Sequence, residues 1–295
     1  MHISVCICTY RRPEMLKRLM IELSRQDTKG IFTFSVVIAD NDDQQSAKQL
    51  VLDFATASLM DITYCVEPRR SIALVRNKSL EYAKGDIIAF IDDDEFPAQD
   101  WLFYLLKACT DFRVAGVFGP VKPYFDADPP VWLIKGRLCD RPEHNTGFVM
   151  SSVECRTGNA LIKKQVIEGM GTVFNPEFET SGSDTDLFRR LIEAGRTFIW
   201  CNEAVVYEVV PPNRWKRSFM IKRALLRGRF NALQSKGLWL SVLKSLVAVP
   251  IYCVALPFLQ LFGHHYFMKY LIKLCDHAGK LLALVRLNPV QEREM

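Results

Sequence analysis

The run Ile87-Ile88-Ala89-Phe90-Ile91 leads without a break into Asp92-Asp93-Asp94-Glu95. An apolar run of this length suits a strand buried on both faces, the kind found in parallel sheets covered by helices. Acids at its end put negative charge on the edge where open α/β sheets bind ligands. Moving outward toward the N-terminus, a helical pattern spans 72–83, a short strand 62–66, a helix 44–57 and a strand 34–39. Before these, Pro13 opens a helix with Met15, Leu16, Leu19, Met20 and Leu23 on one face, and 3–8 reads as the first strand. This alternation predicts an α/β fold with a mostly parallel sheet flanked by helices.

The residues after the strands then converge on one edge: Thr9-Tyr10-Arg11-Arg12, Asp40-Asn41-Asp42, Glu67-Pro68-Arg69-Arg70 and the four acids. Neither GxGxxG nor GxxxxGK[ST] follows any strand, so the dinucleotide and P-loop phosphate cradles are missing. A phosphate ligand here needs side chains and a metal. Mg2+ and Mn2+ take oxygen ligands and keep waters, so one or two of these carboxylates plus substrate phosphates complete a shell.

Downstream, 120–149 is irregular and carries Pro123, Tyr124, Phe125, Pro129, Pro130, Trp132 and Pro142, which marks a functional surface with acceptor binding as its expected use. Residues 158–162 read as a further strand. Ser183-Asp184 opens a helix with Leu187, Phe188, Leu191 and Ile192 at helical spacing. The helix dipole favours Asp184 and Asp186 at that terminus, so capping alone accounts for them. Following Ser181-Gly182, Asp184 is also placed to take a proton from an attacking hydroxyl.

Together, the string from Ser4 to Pro13, Ala39-Asp40-Asn41-Asp42, Ala73-Leu74-Val75-Arg76-Asn77, Phe90 to Glu95, and Ser183-Asp184-Thr185-Asp186-Leu187 resemble glycosyltransferase family 2, with its Rossmann-like GT-A fold. Gly119-Pro120-Val121 and Glu208-Val209-Val210-Pro211 belong to the same resemblance, which is strongest to succinoglycan-biosynthesis β-glucosyltransferases acting on lipid-linked oligosaccharide. It implies an inverting hexosyltransferase that uses a nucleotide-diphosphate sugar, UDP-glucose by analogy, in exopolysaccharide or other surface-glycan synthesis. It further implies that Thr9, Tyr10, Arg11, Asp40, Arg76, Asp92 and Asp93 bind the nucleotide sugar, with Asp92 at the ribose. Asp94 would end a DxD-type motif and bind Mg2+ or Mn2+, and Asp184 would be the general base. Ser183 stands where the family usually has glutamate, which leaves a catalytically inactive nucleotide-sugar-binding protein of the same fold as the alternative. Many relatives carry a histidine ligand after the last strand; Val206-Tyr207-Glu208 fills that region here, making Glu208 the expected substitute.

The catalytic part is expected over 1–210, a basic amphipathic helix over 211–237, and a hydrophobic membrane-associated region over 238–295. The net charge of +5 is unevenly spread: from Val209 to Cys275 there are eleven Lys and Arg and no Asp or Glu. That segregation points to anionic lipid headgroups. Nucleic acid is excluded as partner because the basic stretch from Arg214 to Lys236 runs into an apolar segment, and the acidic site opposes it. Between 238 and 262 only Lys244 is charged, close to the ~20 apolar residues a span requires. Pro250 and Pro257 are expected to kink it, and positive charge on both sides favours a hairpin or monotopic attachment over a full crossing. Beyond it, Lys269, Lys273, Lys280 and Arg286 continue an interfacial pattern. Nine cysteines without paired spacing and no signal-peptide pattern place the catalytic part at the cytoplasmic face of the inner membrane, facing a lipid-linked saccharide acceptor.

Overall fold

In the computed structural model, which describes residues 1–179, 181–234, 238–285 and 287, the first third of the chain alternates as its hydrophobic periods require. The elements are β1 (His2–Thr9), α1 (Pro13–Ser24), β2 (Thr33–Asp40), α2 (Lys48–Ala57), β3 (Ile62–Val66), α3 (Ile72–Glu81) and β4 (Ile87–Ile91). They are followed by β5 (Glu95–Pro97), α4 (Trp101–Asp111), β6 (Gly116–Phe118), β7 (Val121–Tyr124), α5 (Val131–Lys135), β8 (Asn159–Lys163), α6 (Ser183–Glu193), β9 (Phe198–Trp200) and β10 (Val206–Val209). The chain ends in α7 (Arg217–Gln234), α8 (Leu238–Leu261) and α9 (His264–Leu284). Lys236, Arg286 and 288–295, which entered the expected basic and membrane-associated segments, lie outside the described residues.

The main sheet has the order β3-β2-β1-β4-β8-β6-β9. β1 pairs in parallel with β2 and β4, and β6 with β9, while β8 runs antiparallel to both β4 and β6. The sheet is thus mostly parallel with one reversed strand. Alternate residues of β1 feed opposite faces: Ile3, Val5 and Ile7 pack with Leu16, Leu19, Met20 and Leu23 of α1 and Trp101, Leu102 and Leu105 of α4. On the other face Cys6, Val37 and Phe90 pack with Ala73 and Val75 of α3 and Leu187, Phe188 and Leu191 of α6. Register carries one row straight across the sheet through Phe90, Ala160, Phe118 and Trp200.

Three local expectations change. The second helix starts at Lys48, not near Gln44, because Gln45 has φ 54 and the Asp40 carboxylate accepts the Ala47 N–H at 3.1 Å, holding a turn ahead of it. The stretch 120–149 is not wholly irregular, since β7 and α5 lie within it. The apolar segment forms one helix and no hairpin of its own: α8 runs through Pro250 and Pro257. Antiparallel packing on α9 supports it there, with Tyr252 and Tyr270 rings 5.8 Å apart and Ser245 2.9 Å from Nδ1 of His277.

By contact the chain divides into two units. The first contains Met1–Lys122 and Arg141–Glu208, and the second Pro123–Asp140 and Val209–Met295. The expected boundary at 210 falls two residues past the first unit, and 123–140, expected within the catalytic part, groups with the C-terminal helices. The reason is local: α5 packs on α9, with Trp132 edge-on to His264 at 5.5 Å. In the second unit α7 lies against α9 so closely that a Cβ at Gly228 or Gly279 would strike backbone, and Arg227 binds Asp276 through two bonds of 2.9 and 2.6 Å.

Candidate active site

The acid cluster follows β4 because the buried Ile87–Ile91 strand delivers it to the sheet edge. Its four members have different surroundings. Asp93 turns inward: one oxygen accepts the Thr9 hydroxyl at 2.8 Å and the other the Arg12 guanidinium at 3.1 Å, tying the ends of β1 and β4 together. Burial pushes its pKa up, and Arg12 opposes the shift. Arg12 also donates to Asp94 at 3.2 Å. Asp92 is raised to about 6, chiefly by burial, with Arg76 pulling the other way.

Glu95 lies deepest. Its Oε2 accepts the Asp92 backbone N–H at 3.2 Å, whereas Oε1 is buried and finds no hydrogen-bond partner among the described residues. Burial drives its pKa well above the ordinary carboxyl value, and the nearby Asp92 adds to the effect. A Cβ at Gly158 would stand 2.7 Å from Glu95 Oε1 and 3.2 Å from Asp92 Oδ2, so the bare glycine backbone is what lets these carboxylates sit there. Antiparallel pairing of β10 with β5 sets Glu208 directly opposite Glu95. Glu208 forms a short ion pair with Arg141, whose charge also acts on Glu95 and Asp92.

At the end of β2, Asp40 is fully buried and accepts three hydrogen bonds: from Asp42 N–H at 3.0 Å, Ala47 N–H at 3.1 Å and the Tyr64 hydroxyl at 2.8 Å. Arg11, in the left-handed region at φ 54, grips Asp42 through Nε and Nη2 and draws its pKa down to about 2. The Tyr10 ring has the Arg11 guanidinium 5.2 Å and the Arg70 guanidinium 4.8 Å from its centroid.

α6 begins at this edge. Gly182, at φ 91, precedes Ser183, and the Ser183 hydroxyl accepts Arg76 Nη1 at 2.8 Å. Arg76 is itself buried and lies over Phe174. Asp186 is engaged by Arg189 and Arg190 at 2.7 and 2.9 Å. Asp184 is half-buried and accepts the Thr185 N–H at 2.8 Å, and among the described residues no ion pair engages it. The structure therefore brings Thr9, Tyr10, Arg11, Asp40, Asp92, Asp93 and Asp94 to one edge, and joins Arg76 to the start of α6 one residue before Asp184.

Among the described residues no three His, Cys, Asp or Glu side chains converge as a metal cage. Carboxylate oxygens beside a buried, unpartnered Glu95 oxygen fit a hard divalent cation that draws most of its shell from a diphosphate and water. Sequence reasoning placed Arg12 and Glu95 on this edge without giving either a role of its own, and it missed Gly158 and Arg141, which are brought in by tertiary contacts alone.

The glycosyl transferase family 2 pattern matches residues 4–171. The succinoglycan biosynthesis protein ExoM of Rhizobium meliloti is 34% identical over 80% of this chain and 74% of its own length. Among solved structures, the mannosyltransferase PcManGT from Pyrobaculum calidifontis, in complex with GDP-Man and Mn2+, superposes with a TM-score of 0.64 at 19% identity, over 96% of this chain and 86% of the other. S. aureus TarS 1–349 in complex with UDP gives 0.56 at 14% identity, over 98% and 93%. The fold is that of these GT-A neighbours, and the match over more than half of its length shows that the chain belongs to glycosyltransferase family 2.

Proposed function

We propose that this glycosyltransferase moves a hexose, with inversion, from a nucleoside-diphosphate sugar to a lipid-linked saccharide at the cytoplasmic face of a membrane. The carrying observation is the convergence of the β4 acid cluster, the loops after β1 and β2, and the start of α6, where Arg76 holds Ser183 beside Asp184, a carboxylate in no ion pair among the described residues. Thr9, Tyr10, Arg11 and Asp40 shape the base end of the donor pocket, directly or by fixing its loops, and Asp92 and Asp93 continue it toward the ribose and phosphates. Asp94 would hold Mg2+ or Mn2+ with the diphosphate, Glu208 contributing from β10; when bound, the ion offsets the charge that grows on the leaving nucleotide. Asp184 takes the proton from the acceptor hydroxyl as that oxygen attacks the anomeric carbon. Arg76, by donating to the Ser183 hydroxyl at 2.8 Å, fixes the turn of α6 that carries Asp184. That two structural neighbours hold UDP and GDP-Man with Mn2+ supports a nucleotide donor.

Membrane attachment rests on α8. Trp239–Leu261 is 23 residues long with mean hydropathy 2.0, and 17% of its apolar window is buried, leaving Leu243, Val247, Ile251, Val254 and Phe258 exposed. At 1.5 Å per residue such a helix is long enough for a bilayer core of ~30 Å.

The test is nucleotide release and transfer from UDP-, GDP- and dTDP-sugars with Mn2+, Mg2+ or EDTA, using a membrane lipid extract as acceptor source. Asp184→Asn is expected to lower kcat about 10²–10⁴-fold with donor binding retained, and Asp94→Ala to abolish metal-dependent turnover. Tight donor binding without turnover in the wild type would instead establish the nucleotide-sugar-binding protein that Ser183 leaves as the alternative.

A further inference from the structure

A second cleft lies at the far end of the same sheet edge. β4, β6 and β9 run in one direction, and Phe90 and Trp200 share a row, so Asp92 and Asn202 each follow that row by two residues. Three strand spacings separate the ends of β4 and β9, about 14 Å. Beyond β9, Glu143, His144, Asn145, Phe148 and Asn202 line an open cleft of about 420 Å³, within the size range of small-ligand clefts.

The cleft is built on the sheet. Gly147 N–H donates to the Trp200 carbonyl and Trp200 N–H to the Phe148 carbonyl, both at 2.9 Å, and Val149 bridges Ile199 in antiparallel fashion. Asn202 N–H donates to the Thr146 hydroxyl at 3.0 Å, which donates in turn to Glu203 at 2.6 Å. His144 stacks flat on Phe148 at 4.0 Å, edge-on to Trp200 at 5.4 Å, and its Nε2 lies 2.9 Å from Glu154. Sites supported this way keep their geometry before a ligand arrives.

What faces solvent is an aromatic ring, Phe148 at 44% exposure, beside two carboxamides and a carboxylate. Each carboxamide offers donors and an acceptor, the Asn202 oxygen also taking the Trp200 ring N–H at 3.4 Å; this matches sugar hydroxyls that both donate and accept, while the ring matches the C–H face of a pyranose. Among the described residues no Lys or Arg lines the cleft; Glu143 does, with Lys122 3.8 Å from its carboxylate, so the lining carries no net positive charge to hold a phosphate or a nucleotide. We propose that this cleft binds a sugar residue of the saccharide acceptor. Its offset from the β4 acids exceeds one sugar ring, so the sugar held here is an inner residue of an oligosaccharide and not the one whose hydroxyl attacks. The acceptor role rests on the transferase function proposed above; saccharide binding by the cleft does not.

The experiment is binding of the full-length protein in detergent to an array of microbial surface oligosaccharides of one to six sugars, for wild type, Phe148→Ala and Asn202→Ala. The expected result is retention of some structures of three or more sugars by wild type, weakened at least tenfold in both variants while their melting temperatures stay close to wild type. No retention by wild type, or retention that survives both substitutions, overturns the proposal. With a retained oligosaccharide as acceptor, both variants should raise its KM at least tenfold with kcat within about threefold; a fall confined to kcat overturns the acceptor role. Nucleotide release without acceptor, measured alongside, reports on the donor site alone: if wild type releases none from any donor, the transferase function fails while the array still decides the cleft.

Discussion

At the scale of single residues, the site is a set of carboxylates sorted by their partners. Asp40 is occupied by three donors, and removing its oxygens strands the Tyr64 hydroxyl and two backbone N–H groups. Asp40→Ala is therefore expected to cost on the order of 3 kcal/mol in denaturant unfolding, at about 1–3 kcal/mol for each buried group left unpaired. A loss of donor affinity with unchanged stability would contradict that role. Gly158 offers a sharper probe: an added methyl would push the buried Glu95 carboxylate, 2.7 Å away, and crowd Asp92 at 3.2 Å. Gly158→Ala should lower turnover at least tenfold while the protein remains folded by circular dichroism; wild-type turnover would show that the carboxylates yield freely. The acids at 92–95 and Asp184 were legible in the sequence because they stand in contiguous motifs. That Asp93 is spent on Thr9 and Arg12 was not legible, since Thr9 and Asp93 are 84 residues apart and meet only through strand pairing.

At the scale of elements, hydrophobic period placed the first four strands and three helices well, because each buries a regular face. It failed at short elements whose existence depends on neighbours. β5 and β10 are three and four residues long; β5 is a strand because β10 is there, and β10 lies between β5 and β7. That pairing puts Glu208 opposite Glu95, so the expected placement of Glu208 near the acids has a structural basis that no local pattern supplied. α8 carries the other prediction at this scale. Val247→Arg with Ile251→Arg places two charges near the middle of its exposed face, at about 2.5–3.5 kcal/mol each in a bilayer centre. The double variant should move largely from the membrane pellet to the supernatant, whereas unchanged sedimentation would mean that this face packs on protein.

At the scale of the whole molecule, charge and hydropathy are segregated along the chain. Basic residues of α7, among them Arg217, Lys222, Arg223 and Arg229, precede an apolar helix in a stretch of sequence without acids. Each basic residue near an anionic surface contributes about 1 kcal/mol, screened by salt. Flotation with vesicles containing anionic lipid should exceed that with neutral vesicles about tenfold in low salt, with the difference shrinking at 0.5 M salt by about the ratio that a shorter Debye length dictates. Equal binding to both would assign attachment to α8 alone. The sequence by itself determined the strand-helix alternation, the family, the acidic edge and the apolar C-terminal segment, because period and contiguous motifs are local properties of a chain. Only the tertiary structure decided which carboxylates are clamped, which oxygen of Glu95 finds no partner among the described residues, that a side chain at residue 158 would press on Glu95, and that a cleft forms beyond β9. Those outcomes depend on register between strands distant in sequence, and register is fixed by the packing of the whole sheet.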